Sequence, residues 1–462
     1  MKKTDRLKKN CAILLLYTII AGCNAPKSNL ETFNRLLLAP GYEQSFIFAR
    51  SRIGKNEKPK AEDLLWTLQL GSVERLRQNH HQSTVYFDKA EEMLNFYDHQ
   101  NEITSTLAST AAGDNVVPYT GQEYDGIMVN TYKALNFMIT GQDELARVEF
   151  NRALDRQRRA KEMFAREIEQ LNNQIKEKEG KNPNLRKSIE NPQVKQLIGE
   201  EYPCLYEFEA YPDFVNPFTT YLAGIYFNLI GDYSKAIDLL KESYGMVQTN
   251  SYIADDLAAA EQILQCGGQL SNTIWVIFEN GLGPVKEEFR IDIPIFLVTD
   301  KVKYVGIALP RLIFREQAYP YLIVKTKTSS CKTQIVADMD RVIQTEFGKD
   351  FGDILTRAII SATAKAAAQY VLAKQDSFEG SIASALVGLY SYATTAADVR
   401  TWTTLPKDFQ VTRLNIPENR DITIIPPAGV PLNIKIPDCS NAIVYVRIPF
   451  ETAEPVYDII TY

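Results

Sequence analysis

The segment FTTYLAGIYFNLIGDYSKAIDLLKES, residues 218–243, decides the fold of the N-terminal half of the chain. Two closely packed antiparallel helices need small residues where they cross, aromatic side chains beside the crossing and a glycine at the turn. The residues that meet these needs are Gly224, Phe227, Gly231, Tyr233 and Ala236. The segment therefore predicts two helices that are joined at Gly231.

Two further segments repeat this pattern. Residues 130–154 hold the same offsets, and residues 64–94 carry a weaker copy. The matching residues are Ala134, Phe137, Gly141, Ala146, Phe150 and Ala153 in the first segment and Gly71, Ser83, Phe87 and Ala90 in the second. The copies are not in tandem, because tetratricopeptide repeats follow one another at about 34 residues and these lie farther apart. We predict a tetratricopeptide-like helical domain over residues 59–268, with a generic helical bundle as the alternative.

The second copy continues into a long charged helix. Apolar residues recur at every third or fourth position from Phe150 to Ile175, which predicts a helix that ends near Glu179. A charged segment with two prolines follows and predicts a solvated loop, so that helix and loop together occupy the region near residues 150–200. The apolar stripe either packs on the neighbouring helices or recruits a second coil.

Residues 269–462 have the pattern of a β-rich domain. The run TIWVIF at Thr273–Phe278 combines β-branched and aromatic residues, as a buried strand requires. Further strand-like runs are Tyr304–Leu309, Tyr321–Lys325, Thr333–Ala337, Val411–Asn415, Ile422–Ile425, Leu432–Ile436 and Ala442–Ile448. Short strands separated by proline and glycine predict a β-sandwich-like domain or an open barrel. A helical-hairpin insertion is predicted near residues 339–399, so that the whole chain is an α+β multidomain protein.

The composition excludes several classes of protein. The chain has 462 residues, of which 45% are hydrophobic, and a net charge of −6. An acidic chain of this kind is not expected to bind nucleic acid, because a phosphate backbone needs a basic surface. The sequence contains three histidines, and the adjacent pair His80-His81 is poorly spaced for chelating one ion. No serine-hydrolase elbow or phosphate-binding loop is present, so we predict a non-enzymatic protein without a metal or cofactor.

The N-terminus predicts export and a lipid anchor. Residues 1–22 read as a signal peptide, with basic residues before a short apolar run from Cys11 to Ile20. The run ends in Ile-Ala-Gly-Cys, residues 20–23, which resembles a bacterial lipobox and predicts lipidation at Cys23. Asn24 favours export to the outer membrane, where the chain would face the periplasm. The alternative is a plain secretory peptide with a chance cysteine, and residues 23–58 are predicted to form a linker and a first helix.

Four further cysteines follow Cys23 in the mature chain. The periplasm permits disulfides, and pairing within each half would join Cys204 to Cys266 and Cys331 to Cys439. This is one of three possible connectivities. Free buried thiols are the alternative for each pair.

The quoted features resemble those of a known family. The chain resembles the uncharacterised tetratricopeptide-like lipoproteins of Gram-negative bacteria. The segments that carry the resemblance are PYTGQEYDGIMVNTYKALNFMITGQDELARVEFNRALDRQ, NPFTTYLAGIYFNLIGDY, FENGLGPVKEEFRIDIPI and ADVRTWTTLP, within residues 118–407. The resemblance implies an envelope lipoprotein without an established activity. Genes of this family often lie beside lipoproteins related to activators of penicillin-binding proteins, which implies a part in cell-wall or outer-membrane assembly.

These observations predict an interaction scaffold. The concave groove of the repeats would bind an envelope protein through the exposed side of each first helix. The residues predicted to face the groove are Leu68, Ser72, Arg75, Thr131, Leu135, Met138, Tyr221, Ile225 and Asn228. The alternative is a protein that binds glycan or lipid through the C-terminal β-rich domain. The sequence leaves the partner and the oligomeric state open.

Overall fold

The structure is a computed structural model that describes most of the chain. The described residues are 25–54, 63–104, 119–181, 191–211, 216–270, 272–298, 301–373 and 396–462. The predicted signal peptide over residues 1–22 and the predicted lipidation site Cys23 lie outside them. The same is true of most of the second helix of the predicted hairpin and of most of the charged loop after the long helix.

The N-terminal half is helical. In the described ranges before residue 270 the α-helices are α1 (Ala25–Leu37), α2 (Glu43–Arg52), α3 (Asp63–Leu76), α4 (His80–Thr104), α5 (Glu123–Ile139), α6 (Asp143–Lys181), α7 (Pro192–Glu201), α8 (Pro217–Leu229), α9 (Tyr233–Met246) and α10 (Ser251–Cys266). A short 3-10 helix at Pro203–Leu205 follows α7. Helices α1 and α2 lie within residues 23–58, where the sequence predicted a linker and one helix. Helix α6 extends to Lys181, close to its predicted end.

Three helix pairs form where the repeated pattern predicted them, as α3–α4, α5–α6 and α8–α9. Their small residues lie at the crossings. A Cβ atom on Gly71 would stand 2.4 Å from the ring of Phe87, and one on Gly224 would stand 3.0 Å from the side chain of Leu240. Gly231 has a φ of 84° in the α8–α9 turn, where glycine avoids the strain that a side chain would bring.

The strands follow α10. They are β1 (Thr273–Asn280), β2 (Val285–Val298), β3 (Lys301–Ile313), β4 (Ile323–Lys325), β5 (Ser330–Lys332), β6 (Gln334–Asp338), β7 (Asp408–Asn415), β8 (Asp421–Ile425), β9 (Leu432–Lys435), β10 (Asn441–Ile448) and β11 (Val456–Thr461). They form a five-stranded sheet in the order β11-β10-β1-β7-β6, a four-stranded sheet in the order β5-β4-β8-β9 and the ribbon β2-β3. Strand β1 is parallel to β10 and antiparallel to β7.

The central strand β1 is buried on both faces. Trp275 and Ile277 belong to the core that includes the helices, whereas Ile274, Val276 and Phe278 belong to a second core with the four-stranded sheet. The alternation follows from the period of two of a strand, in which successive side chains point to opposite faces. The five-stranded sheet is therefore a middle layer between the helices and the four-stranded sheet.

Helix α11 (Met339–Ala373) follows β6 directly. Its first residue coincides with the start of the helical insertion predicted near residues 339–399. The carboxylate of Asp338 accepts hydrogen bonds from the backbone N–H groups of Asp340 (3.0 Å) and Arg341 (3.4 Å). A carboxylate in this position satisfies N–H groups that the first helical turn leaves unpaired, which explains why the helix begins there.

The helical and β-rich halves share one hydrophobic core. Its buried residues run from Leu30 in α1 to Ile460 in β11 and include members of nearly every helix. Helix α10 ends at Cys266 and β1 begins at Thr273, on either side of the predicted boundary after residue 268. The chain therefore changes secondary structure at this boundary without interrupting its core.

None of the described helices combines the length and the apolar character needed to cross a bilayer.

The packing at Gly71 predicts a large effect of one methyl group. Gly71→Ala would push a Cβ atom into the fully buried ring of Phe87 and destabilise the protein by roughly 1–3 kcal/mol. Gly348→Ala in α11 is the matched control, because no atom lies within 4 Å of its Cβ position. Removing a helical glycine there should stabilise the protein by up to about 1 kcal/mol. Urea unfolding of both variants tests this, and equal effects would contradict it.

Candidate functional site

The residues predicted to line a groove lie on α3, α5 and α8, and the structure buries all of them. They are Leu68, Ser72, Arg75, Thr131, Leu135, Met138, Tyr221, Ile225 and Asn228. Strands of the five-stranded sheet and the segment at residues 396–407 cover these helices. The predicted groove is therefore not open in this structure, because the C-terminal half of the same chain fills it.

A buried carboxylate lies at the centre of this contact. Glu279 of β1 accepts hydrogen bonds from the hydroxyl groups of Tyr132 in α5 (2.6 Å) and Tyr445 in β10 (2.5 Å). The guanidinium group of Arg447 contacts the same carboxylate and also donates to the backbone oxygen of Thr404 (2.7 Å). Hydrogen bonds to an ionised group are stronger than neutral ones. One helix, two strands and one loop therefore converge on Glu279, and we call these side chains the Glu279 cluster.

Arg75 extends the Glu279 cluster into α3. Its guanidinium group lies 4.7 Å from the centre of the Tyr132 ring and 5.4 Å from that of Tyr445, as in cation–π contacts. It also donates a hydrogen bond to the side chain of Asn136. Burial lowers the pKa of the Arg447 guanidinium, and the positive charge of Arg75 lowers it further. Arg75 is thus a buried residue that contacts the sheet, and its side chain is not exposed for binding another protein.

Trp402 packs on residues of the first two helix pairs. Its indole N–H donates to the hydroxyl of Ser72 (3.0 Å). Its ring centre lies 5.7 Å from that of Phe87 and 6.0 Å from that of Tyr132. Aromatic pairs at these distances contribute beyond the area that they bury. Trp402 belongs to ADVRTWTTLP, one of the segments on which the family resemblance rests.

The neighbours of Trp402 bind the helices through polar contacts. The side chain of Gln69 in α3 donates to the hydroxyl of Thr403 (3.0 Å) and accepts from the hydroxyl of Thr404 (2.8 Å). Both threonines are buried or nearly so. We call residues 396–407 the Trp402 segment. It packs against the helices through these side-chain contacts, as a bound peptide would.

The third helix pair is bound to the sheet through Asp256 of α10. Its carboxylate accepts from the hydroxyl of Tyr221 (2.7 Å) and from the indole N–H of Trp275 (3.0 Å), and it pairs with Arg413 (2.9 Å). Burial raises the pKa of Asp256 to about 6, against the opposing effect of Arg413. Tyr221 is therefore committed to an internal contact between α8, α10 and β1.

The remaining groove residues have no free surface either. Leu135, Met138 and Ile225 belong to the shared hydrophobic core. The amide oxygen and nitrogen of Asn228 are buried, and neither has a hydrogen-bond partner among the described residues.

The four cysteines of the mature chain that the structure describes are free thiols. Neither of the predicted pairs is therefore formed in this structure. Cys204 is buried in the 3-10 helix, whereas Cys266 is exposed at the end of α10. Cys331 lies in β5, and the thiol of Cys439 donates to the backbone oxygen of Pro437 (3.3 Å) in the turn before β10. The members of each predicted pair thus lie on separate elements.

A further buried carboxyl group caps helix α5. Glu346 of α11 accepts hydrogen bonds from the backbone N–H groups of Glu123 (2.6 Å) and Tyr124 (3.3 Å). Burial raises the pKa of Glu346 to about 8. Glu346 therefore satisfies N–H groups at the start of α5 that have no partner within the helix.

Two more carboxyl groups have raised pKa values for the same reason. Burial raises the pKa of Asp125 to about 6, although it accepts a hydrogen bond from Tyr119 (2.5 Å). Burial raises the pKa of Asp408 to about 7, although the amide of Asn280 donates to it (2.9 Å). These groups act as internal hydrogen-bond acceptors and line no open surface.

The histidine pair lies at the start of α4. The Nε2 atom of His80 lies 2.9 Å from the carboxylate of Asp458 in β11, and His81 is exposed. Within the described ranges, no three His, Cys, Asp or Glu side chains are grouped so as to hold a metal ion.

An open concave site lies where three turns meet. A cleft of about 980 Å³ runs between the α1–α2 turn, the α3–α4 turn and the β10–β11 turn. Its lining residues are Leu38–Glu43, Leu76–Gln78, Phe450 and Thr452–Tyr457. We call it the turn cleft. Both halves of the chain contribute to it, and its size is in the range of ligand sites.

Some polar side chains of the turn cleft have partners within the cleft, and one carboxylate has none among the described residues. Arg77 forms an ion pair with Glu43 (2.7 Å), and the side chain of Gln78 donates to the backbone oxygen of Tyr457 (2.8 Å). Glu454 is exposed and has no ion-pair partner in the described part of the chain. The cleft therefore combines an internally neutralised pair with one free carboxylate.

The backbone of the turn cleft is strained at two points. Among the described residues, four that are not glycine have positive φ, and Tyr42 (58°) and Gln78 (59°) both line the cleft. Such conformations cost of order 1–3 kcal/mol and are concentrated at functional sites. The sequence did not predict this cleft. Its only local signal was Pro40-Gly41, a turn dipeptide that carries no information about the residues it will meet.

The Glu279 cluster predicts a large loss of stability when its acid is removed. Glu279→Ala leaves Arg447 buried without its counter-ion and should destabilise the protein by roughly 3–5 kcal/mol. Lys435→Ala is the control, because its ion pair with Asp421 is exposed and should contribute no more than about 1 kcal/mol. Chemical unfolding measures both values. A loss at Glu279 as small as that at Lys435 would rule out this central role.

The burial of Glu346 predicts a pH dependence of stability. Its folded pKa of about 8 lies above the ordinary value of 4.5, so the folded state binds the proton more tightly. Its contribution is present below about pH 4.5 and is lost as the pH rises to about 8. Glu346→Gln should therefore flatten the decline of stability between these pH values. The exposed Glu418→Gln is the control, and unchanged slopes in both variants would contradict the assignment.

Comparison of the chain with protein-family models, with curated proteins and with solved structures found no match.

Proposed function

We propose that this protein is a non-enzymatic lipoprotein of the outer membrane that faces the periplasm and binds a protein of the cell envelope. The observation that carries the proposal is the turn cleft, an open site that both halves of the chain build. The lipobox at residues 20–23 supports the anchor, and two or more acyl chains suffice for stable attachment. The scaffold would act in cell-wall or outer-membrane assembly.

The proposal also covers the type of the helix pairs and the packing of the two sheets. We interpret α3–α4, α5–α6 and α8–α9 as tetratricopeptide-like repeats, because the three pairs share the sequence pattern of small and aromatic residues. Two contacts support this interpretation, since Gly71 packs on the ring of Phe87 and Gly224 packs on Leu240. We interpret the two packed sheets as a β-sandwich-like unit, supported by the apolar core between them. These readings agree with the uncharacterised tetratricopeptide-like lipoproteins that the sequence resembles.

The partner would bind outside the concave groove. The Trp402 segment and the five-stranded sheet occupy that groove, and the contacts of Arg75, Tyr221 and Trp402 with them are internal. In tetratricopeptide-like domains the concave side is the usual binding surface. The turn cleft is therefore the site that we assign to the partner.

Binding rather than catalysis is supported by the positions of the perturbed acids. The carboxyl groups whose pKa values rise most, those of Asp125, Asp256, Asp340, Asp408 and Glu346, each accept hydrogen bonds inside the protein. None of these five lines the turn cleft. Catalytic acids and bases with shifted pKa values are expected in the site where the substrate binds.

A second candidate function is the binding of glycan or lipid through the β-rich half. It is favoured by the contribution of Phe450 and Tyr457 to the turn cleft, since aromatic rings offer amphipathic surfaces to such ligands. Titration of the full chain with peptidoglycan fragments and with phospholipid vesicles distinguishes the two functions. Binding of either probe that is lost on Tyr457→Ala would favour this second function.

The proposed function predicts a loss of partner when the turn cleft is altered. Leu38 lines the cleft and is 53% exposed, so Leu38→Asp should fold normally yet reduce partner recovery about tenfold, as a loss of about 1.4 kcal/mol implies. Val430→Asp is the control, because Val430 is 78% exposed and lies outside the cleft. Crosslinking in cells, pulldown and mass spectrometry measure the recovery.

A second control concerns the anchor. Cys23→Ala should release the protein from the membrane fraction and lose those contacts that need the anchor. A discrete envelope protein recovered with the wild type and with Val430→Asp, but not with Leu38→Asp, supports the scaffold. Equal recovery with all variants would exclude the turn cleft, and recovery of cell wall or lipid alone would favour the second function.

A further inference from the structure

Strand β11 forms one edge of the five-stranded sheet. Asn441 and Tyr462 exchange two backbone hydrogen bonds of 2.9 Å each, which makes them a hydrogen-bonded pair of the antiparallel ladder. Such pairs alternate with pairs whose backbone groups point away from the partner strand. By the register, Tyr457, Ile459 and Thr461 belong to the second kind. Their N–H and C=O groups therefore point to the free edge of β11.

The free edge of β11 is nearly unpaired. Gln78 donates to the backbone oxygen of Tyr457 (2.8 Å), and this contact agrees with the outward direction derived from the register. Among the described residues, no hydrogen bond satisfies the outward groups of Ile459 or Thr461. An edge with unpaired N–H and C=O groups is a template for one more strand.

The opposite edge of the same sheet is blocked. The side-chain amide of Asn250 donates to the backbone oxygens of Gln334 (3.3 Å) and Ile335 (2.9 Å) in β6. The side chain of Gln334 in turn accepts from the backbone N–H of Ser251 (2.9 Å). The start of α10 thus covers β6 at Gln334 and Ile335, whereas on the outward side of β11 the described residues make such a contact at Tyr457, from Gln78, and none at Ile459 or Thr461. Strand addition to this sheet is therefore possible at β11.

The free edge is continuous with the turn cleft, because Val456 and Tyr457 belong to both. An extended chain that pairs with β11 would enter the cleft at the start of the strand. There it meets the apolar side chains of Leu38 and Pro455 and the free carboxylate of Glu454. The site therefore fits an extended segment with an apolar residue next to a basic one.

We propose that β11 and the turn cleft bind an extended segment of a partner protein, which adds a sixth strand to the sheet and places an apolar and a basic side chain in the cleft. This inference rests on the proposed scaffold function and assigns its binding mode, in which backbone hydrogen bonds give affinity and pockets give specificity. A second copy of this chain fits less well. Its own β11, VYDIIT, brings Asp458 and no basic residue to Glu454.

The test uses the full-length protein in detergent and random linear peptides displayed on phage as the probe. Selected peptides should carry an apolar residue beside Lys or Arg. Thr461→Pro removes an outward N–H group and leaves the ladder with β10 intact, because proline is tolerated where the N–H faces solvent. It should weaken peptide binding about tenfold or more, a loss of about 1.4 kcal/mol. The matched Thr461→Ala keeps the N–H group and should bind within about twofold of the wild type.

A second measurement does not depend on the folding of a variant. Methylating the backbone nitrogens of a selected peptide one at a time should abolish binding to the wild-type protein at every second residue, the signature of an added strand. Glu454→Lys should select against basic peptides.

Equal binding of peptides to wild type and Thr461→Pro, or a methylation scan without a period of two, would overturn the proposal. Failure to select any peptide would also overturn it. A dimer in solution that Thr461→Pro dissociates would assign the edge to a second copy instead. A partner recovered by crosslinking in cells despite one of these results would leave the scaffold function standing and refute only this binding mode.

Discussion

The carboxyl group of Glu279, buried on the central strand against Arg447, is the constraint on which the rest of the structure depends. A buried charge is tolerated only when hydrogen bonds and a counter-ion replace its water. Here Tyr132 comes from a helix, and Tyr445 and Arg447 come from the neighbouring strand. The helices must therefore lie on the sheet for the carboxylate to be satisfied. Two further contacts join the helices to the C-terminal half. Trp402 binds Ser72 of α3, and Asp256 of α10 binds Trp275 of β1.

This arrangement bears on the proposed binding site. Because the sheet of the same chain packs on the helix pairs, we propose that a partner binds at the margin of this contact. The turn cleft and the free edge of β11 are such margins, since both are built where the helical turns meet the sheet. The strained backbone of Tyr42 and Gln78 lies at this margin too, and the surrounding contacts must stabilise it.

The sequence predicted the local elements and missed the long-range contacts, for physical reasons. Helix pairs follow from small residues at fixed offsets, and most strands follow from β-branched runs, both of which are local signals. Strand β2 was missed because VKEEFRIDIP combines charges with a proline. The burial of Arg75 and Tyr221 depends on Tyr445 and Asp256, whose positions in space no local pattern reveals. The four described cysteines are free thiols, the alternative that the sequence left open beside the disulfides, since sequence halves do not fix distances between thiols.

The central claim is that helices and sheet form one cooperative body around Glu279. Hydrogen exchange of the full-length protein, followed by proteolysis and mass spectrometry in increasing denaturant, tests it most directly. We expect the slowest amides of α3, α5, β1 and β10 to share one free energy of opening, because none of these elements can keep its buried polar groups satisfied without the others. Helices that remain protected after β1 and β10 have exchanged would contradict the account.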